Sequence, residues 1–114
     1  MYPSGRWDGF WVQEVYGRQA MTPFTLRFAA GEVSGDGRDV IGRFTFAGAY
    51  DVATGEVVMM KQYVGRHRVL YKGKPDGEGS ILGTWSIGDT WTGPFLMKPV
   101  LARPRGDEPI QEIG

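Results

Sequence analysis

The segment IGRFTFAGAYDVATGEVVMMKQYVGRHRVLYKGK, residues 41–74, reads as three β-strands in succession, over 42–50, 56–64 and 66–74. In the first, Phe44, Phe46, Gly48 and Tyr50 alternate with Arg43, Thr45, Ala47 and Ala49, the period of two that a half-buried strand requires. Residues 51–55 form a hairpin loop in which Gly55 suits a left-handed position. The second strand sets Val57, Met59, Lys61 and Tyr63 against Val58, Met60, Gln62 and Val64; both sets are partly apolar, so alternation alone leaves its inner face open. Beyond a turn at Gly65, Arg66, Arg68, Leu70 and Lys72 oppose His67, Val69, Tyr71 and Gly73. The cationic set faces water, which sends His67, Val69 and Tyr71 inward.

Outward from this block the same grammar repeats. Residues 5–16 alternate Trp7, Gly9, Trp11, Gln13 and Val15 with Asp8, Phe10, Val12, Glu14 and Tyr16; a turn is expected over 17–20. Pro23 is expected to open the second strand, because its missing N–H is tolerated at a strand start. Phe24, Leu26 and Phe28 then point inward, and Ala30 and Gly31 make a short hairpin connection. Residues 32–39 read as a weaker strand, whose 35–39 portion is a bulged strand or a loop. Asp36 and Asp39 there are too few oxygen ligands for a calcium loop, and the expectation is a solvated turn. After the Pro75–Gly79 turn region, strands are expected over 80–87, with Ile81 and Trp85 on one face, and over 92–99, with Phe95 and Met97 inward.

Eight strands with short connections and no helical periodicity define an all-β chain. Sequential pairing makes it a meander, and closure into an eight-stranded antiparallel up-and-down barrel, which removes the exposed edges, is favoured over an open sandwich or a partly open half-barrel. Eighteen glycines in 114 residues, against a usual ~7%, fit strands that coil tightly. The expected division is one barrel domain over 1–99 and an extended C-terminal tail over 100–114, which carries Pro104, Pro109 and little apolar content.

Composition narrows the function classes. Thirteen basic and thirteen acidic residues cancel, which argues against a nucleic-acid binder or a membrane-surface protein that works by bulk charge; neither partner is expected. The absence of cysteine excludes a disulfide framework, a thiol nucleophile and an iron–sulfur site, and a single histidine argues against zinc. No cofactor or metal is expected. Without a basic segment followed by an apolar run at the start, the default compartment is the cytoplasm.

Three short motifs, Gly5-Arg-Trp7 opening the first strand, Gly48-Ala-Tyr50-Asp51 ending a middle one and Gly83-Thr-Trp85 in a late one, resemble avidin- and lipocalin-type (calycin-like) small barrels. Such families often begin with a Gly-x-Trp that plugs the closed end of the barrel, so the resemblance implies an up-and-down barrel with a ligand site. Where avidin-like proteins wall their biotin site with tryptophans, this chain offers Met59, Tyr63 and Tyr71, and biotin is not implied. Gly5-x-Trp7-x-Gly9 also resembles the opening of haem-binding nitrobindin-type barrels. Their axial histidine comes late in the chain, whereas His67 is central and sits between two arginines, so haem is not implied either.

The candidate ligand-binding residues are Tyr63, His67, Tyr71 and Lys61, with Tyr50 and Trp11 as aromatic walls. The turn at Gly65 brings Tyr63 and His67 together on adjacent strands, converging polar groups among aromatics near one mouth. The leading expectation is a non-enzymatic barrel that binds a small apolar or aromatic molecule. A second is a solid-core barrel acting as an interaction or homo-oligomerisation module, motivated by outward Phe10, Val12, Val58, Met60, Leu70 and Leu82. A third is an enzyme using Tyr63, His67 or a carboxylate as acid or base; no catalytic residue is assigned, and strand spacing places no serine or threonine beside His67 for a triad. Trp91, beside a turn, is the tryptophan expected at the surface.

Overall fold

The computed structural model describes residues 2–100 of the chain. Eight antiparallel strands, β1 Gly5–Gln13, β2 Gly17–Ala29, β3 Glu32–Arg38, β4 Arg43–Tyr50, β5 Val57–Tyr63, β6 Arg68–Pro75, β7 Ile81–Ile87 and β8 Trp91–Pro99, pair in chain order. β8 returns to β1 and closes the barrel. The backbone amide of Val100 continues that seam by donating to the Arg6 carbonyl at 2.8 Å. The remainder of the expected tail, 101–114, lies outside the described residues.

Alternation decides the interior. Phe44 and Phe46 on β4, Val57, Met59, Lys61 and Tyr63 on β5, and Val69 and Tyr71 on β6 are all buried. The ambiguous strand β5 therefore turns its odd-numbered residues inward, lysine included. The outer faces carry the charges, and Arg66, Arg68, Lys72 and Lys74 are exposed as expected. Residues 32–38 are a regular strand paired on both sides, neither a bulge nor a loop.

Three local expectations are corrected. β2 begins at Gly17, so the turn lies over 14–16 and Val15 and Tyr16 are exposed. Pro23 does not open a strand. Trp7 pairs with Phe24 and Gly9 with Met21, so Thr22 and Pro23 oppose Asp8 alone, and this bulge absorbs the residue that lacks an N–H. β6 begins at Arg68; His67 precedes it in the 64–67 turn and is exposed, so its side chain is not part of the core.

The two ends of the barrel differ. One is plugged: Trp7 is fully buried and donates its indole N–H to the Pro3 carbonyl at 2.9 Å, while the Tyr2 hydroxyl donates to the Gly55 carbonyl at 2.6 Å. Phe28 stacks among Tyr2, Trp7 and Tyr50 and seals this end. The other end, where the 14–16, 39–42, 64–67 and 88–90 turns lie, stays open.

Such a tight barrel forces backbone against backbone. On β7, a Cβ at Gly83 would run into the Lys72 carbonyl oxygen and the Gly73 Cα of the neighbouring strand, neither of which can swing aside. Gly83→Ala is expected to lower stability to denaturant by about 1–3 kcal/mol, the range for overpacking. Thr84→Ala, one residue on and exposed, should stay within about 0.5 kcal/mol.

Candidate functional site

Lys61 lies at the centre of the inner face of β5, opposite Phe46 on β4 and Val69 on β6, and none of its side chain reaches solvent. A buried ammonium needs a partner. Asp39, the residue just after β3, supplies it: Lys61 Nζ donates to Asp39 Oδ2 at 2.7 Å, with both side chains fully buried. The other Nζ contacts are Met21 Sδ at 3.4 Å and Tyr71 Oη at 3.3 Å, so the three donors of the ammonium meet three acceptors.

Asp39 is held just as closely. Its Oδ2 also accepts the Tyr63 hydroxyl at 2.6 Å, and its Oδ1 accepts the Ile41 amide at 2.9 Å. The short turn that carries it is fixed by backbone hydrogen bonds in both directions between Asp39 and Gly42. Around the ammonium stand the rings of Phe44 at 4.3 Å, Tyr63 at 4.8 Å and Tyr71 at 5.4 Å, with Trp11 and Phe46 slightly farther out. This is an aromatic cage filled by the protein's own cation.

Burial pulls the Lys61 ammonium down to about 8, opposed by the hydrogen bond and charge of Asp39. Burial alone would push the Asp39 carboxyl up, but Lys61, Tyr63 and the Ile41 amide together hold it below the usual carboxylate value. The phenols of Tyr63 and Tyr71 are raised, first by burial and then by the Asp39 charge, so both remain protonated hydrogen-bond donors.

Above this network, toward the open end, lies a cavity of about 130 Å³. Tyr63 and Tyr71 belong to both network and cavity. Trp11 and Trp85, edge to face at 5.9 Å, form a second wall, while Ile41, Val69 and Ile87 line it with aliphatic surface. His67, Gln13 and Trp91 stand at the rim. The His67 ring lies 5.1 Å from that of Tyr63, the cross-turn pairing that the Gly65 turn implied.

One polar atom of the wall residues stands out. Trp7 and Trp85 satisfy their indole N–H groups on the Pro3 and Val12 carbonyls. Trp11 Nε1 is buried without a hydrogen-bond partner, the single such side-chain atom found among the described residues. Orphaned buried donors are rare, because each forfeits the hydrogen bond it had in water.

Of the six sequence candidates, Trp11, Tyr63, His67 and Tyr71 meet at this cavity, and Lys61 lies beneath it rather than on its wall. Tyr50 is not part of the site. It stacks on Phe28 at 5.3 Å at the plugged end, roughly 20 Å from Tyr63 by strand rise. Asp39 escaped the sequence reading altogether as a site residue: it is no solvated turn residue but the counter-ion of the core, whereas Asp36 faces solvent, 3.8 Å from Arg27. Met21 was missed as well. The usable signal was Lys61 itself, since a lysine in register with Val57, Met59 and Tyr63 demands a buried acid at a strand end.

Compared with protein-family models, curated proteins and solved structures, the chain matches none.

Two measurements check the network. Lys61→Met should cost about 3–5 kcal/mol, because it leaves the Asp39 charge buried and unpaired. In an Asp39→Asn background, which keeps an acceptor for Tyr63, the same change should cost less, giving a coupling of about 1–3 kcal/mol in a denaturation cycle.

The second is a titration. The Lys61 side-chain carbon resonances should titrate with a midpoint near 8 and move lower in Asp39→Asn, which removes the opposing charge. An unfolded lysine holds its proton to about 10.4. The unfolded chain therefore binds more protons between about 8 and 10.4, and this group alone makes the fold gain stability as pH rises through that window. Asp39 acts at the acid end: its contribution is complete above about pH 4 and is lost as pH falls through its lowered folded value.

Proposed function

We propose that the protein is a non-enzymatic small-molecule-binding barrel whose ligand is ring-sized, largely apolar and equipped with one hydrogen-bond acceptor. The observation that carries this reading is the aromatic mouth cavity, walled by the Trp11 ring, whose buried indole N–H has no hydrogen-bond partner within the fold. A cavity of about 150 Å³ lined by apolar side chains is enough for benzene, so about 130 Å³ that opens to solvent suits a single substituted ring. The walls supply stacking surface from Trp11, Trp85 and Tyr63. Tyr71 Oη already accepts from Lys61, which leaves its own hydrogen to donate. The Tyr71 hydroxyl and the unpaired Trp11 N–H are both donors, which favours a carbonyl, carboxylate or ring nitrogen on the ligand.

The same geometry speaks against catalysis. The Lys61 ammonium is saturated by three acceptors and sealed under the cavity floor, and Asp39 is committed to Lys61, Tyr63 and Ile41. His67 is an exposed rim residue. What remains is a preformed, largely apolar cavity with a few polar groups near it, the usual build of a binding site.

Acetophenone and toluene are suitable probes, differing by one acceptor group. Acetophenone should bind with saturable shifts of the Trp11, Val69 and Ile87 resonances. Trp11→Phe, which keeps a ring but removes the donor, should weaken acetophenone by about 1 kcal/mol, roughly fivefold, and leave toluene nearly unchanged. Shifts that never saturate, or a loss equal for both probes, would sink the reading.

A further inference from the structure

The formal charge of zero conceals an uneven distribution. The open end carries apolar turn tips: Val15 is 82% exposed, Tyr16 72%, Val40 75%, Val64 66% and Trp91 56%. These residues belong to three different turns and to the start of β8, so they encircle the cavity mouth instead of merging into one patch. Around them, at the strand ends that reach the same side, stand exposed Arg18, Arg43, Arg66 and Arg68. Glu14 and Asp89 are the exposed acids in these turns, the third, Asp39, being buried against Lys61. The connections at the plugged end carry Asp51, Glu56, Asp76 and Glu78, with Arg6, Lys74 and Lys98 at the adjoining strand ends and Val52 as an exposed apolar residue.

We propose that the open end of the barrel is a docking surface for an anionic phospholipid bilayer, with the apolar turn tips entering the headgroup region and the arginine collar resting on lipid phosphates and carboxylates. Discrete apolar tips on separate turns fit a deformable surface better than a rigid protein, whose interfaces need a contiguous complementary face. Aliphatic Val15, Val40 and Val64 cannot stack on bases, which favours lipid over nucleic acid. Tryptophan and tyrosine at a rim suit the boundary between hydrocarbon and water. Arginines near an anionic leaflet add attraction that decays within a Debye length, about 8 Å at physiological salt, so their place on this one end matters more than the net charge. The inference does not depend on what fills the cavity.

Co-sedimentation of the full chain with vesicles tests it. Vesicles containing phosphatidylserine should retain the protein roughly tenfold or more better than pure phosphatidylcholine, with the difference shrinking as salt is raised. Brominated acyl chains should quench the exposed Trp91, since Trp7, Trp11 and Trp85 are buried. The pair Arg66→Glu with Arg68→Glu should reduce retention to the phosphatidylcholine level. Lys72→Glu with Lys74→Glu makes the same change of charge on the wall toward the plugged end and should leave retention intact. Val64→Asp should abolish quenching; near-UV circular dichroism confirms that each variant is folded. Equal retention by both vesicles, equal losses in the two charge-reversal pairs, or unquenched binding matched by a single-stranded oligonucleotide would each overturn the proposal.

Discussion

A lysine ammonium and an aspartate carboxylate, 2.7 Å apart and wholly buried, set the terms for the upper half of this barrel. In an interior of low polarity, neither charge is tolerable alone, and each must be surrounded by compensating groups. Lys61 draws Met21 from β2, Tyr71 from β6 and Asp39 from the turn after β3; Asp39 in turn fixes Tyr63 on β5. Four segments are thereby tied at one level. A slip of β5 by one residue would expose Lys61 and leave Asp39 buried and unpaired, so the pair specifies register as strictly as the apolar alternation does.

The network also explains why the cavity lies where it does. Eight strands enclose an interior that side chains just fill. The plugged end and the middle are packed with aromatic, leucine and methionine side chains. At the level of Lys61, side chains are committed to geometry by hydrogen bonds and cannot relax to fill all the space above them. Tyr63 and Tyr71 stand as a rigid floor, Trp11 and Trp85 as a wall, and a volume of about 130 Å³ persists at the mouth. A preformed cavity of this kind costs stability that a tighter core would have supplied, and the Trp11 ring beside it keeps a buried, unsatisfied N–H.

Much of this was legible in the chain because strand alternation is a local property. Phe44, Phe46, Val69 and Tyr71 announce the inner face through a period of two, and the Gly65 turn brings Tyr63 toward His67. Local reading failed where a residue's partner is remote in sequence. Asp39, beside valine and isoleucine in a glycine-rich run, looks like a turn acid; only its contact with Lys61, 22 positions away, makes it a core residue. Tyr50 has the right alternation and the wrong end of the barrel, because period-two patterning fixes the face of a residue and says nothing of its height along the axis. His67 was placed inward by extending a strand two residues too far, a boundary that hydrogen bonding across the β5–β6 turn decides.

By itself, the sequence determined that this chain is an eight-stranded meander and favoured its closure over an open sandwich or half-barrel, through its alternation, glycine content and short turns; the pairing of β8 with β1 decided it. Tertiary structure alone decided that Lys61 lies inside with Asp39, that Trp11 is left with an unanswered N–H, and that apolar tips and arginines gather at one end. The reason is physical. Face and turn chemistry are set by neighbours one or two residues away, whereas charge pairing, cavity volume and surface polarity are set by strands that meet only when the sheet closes.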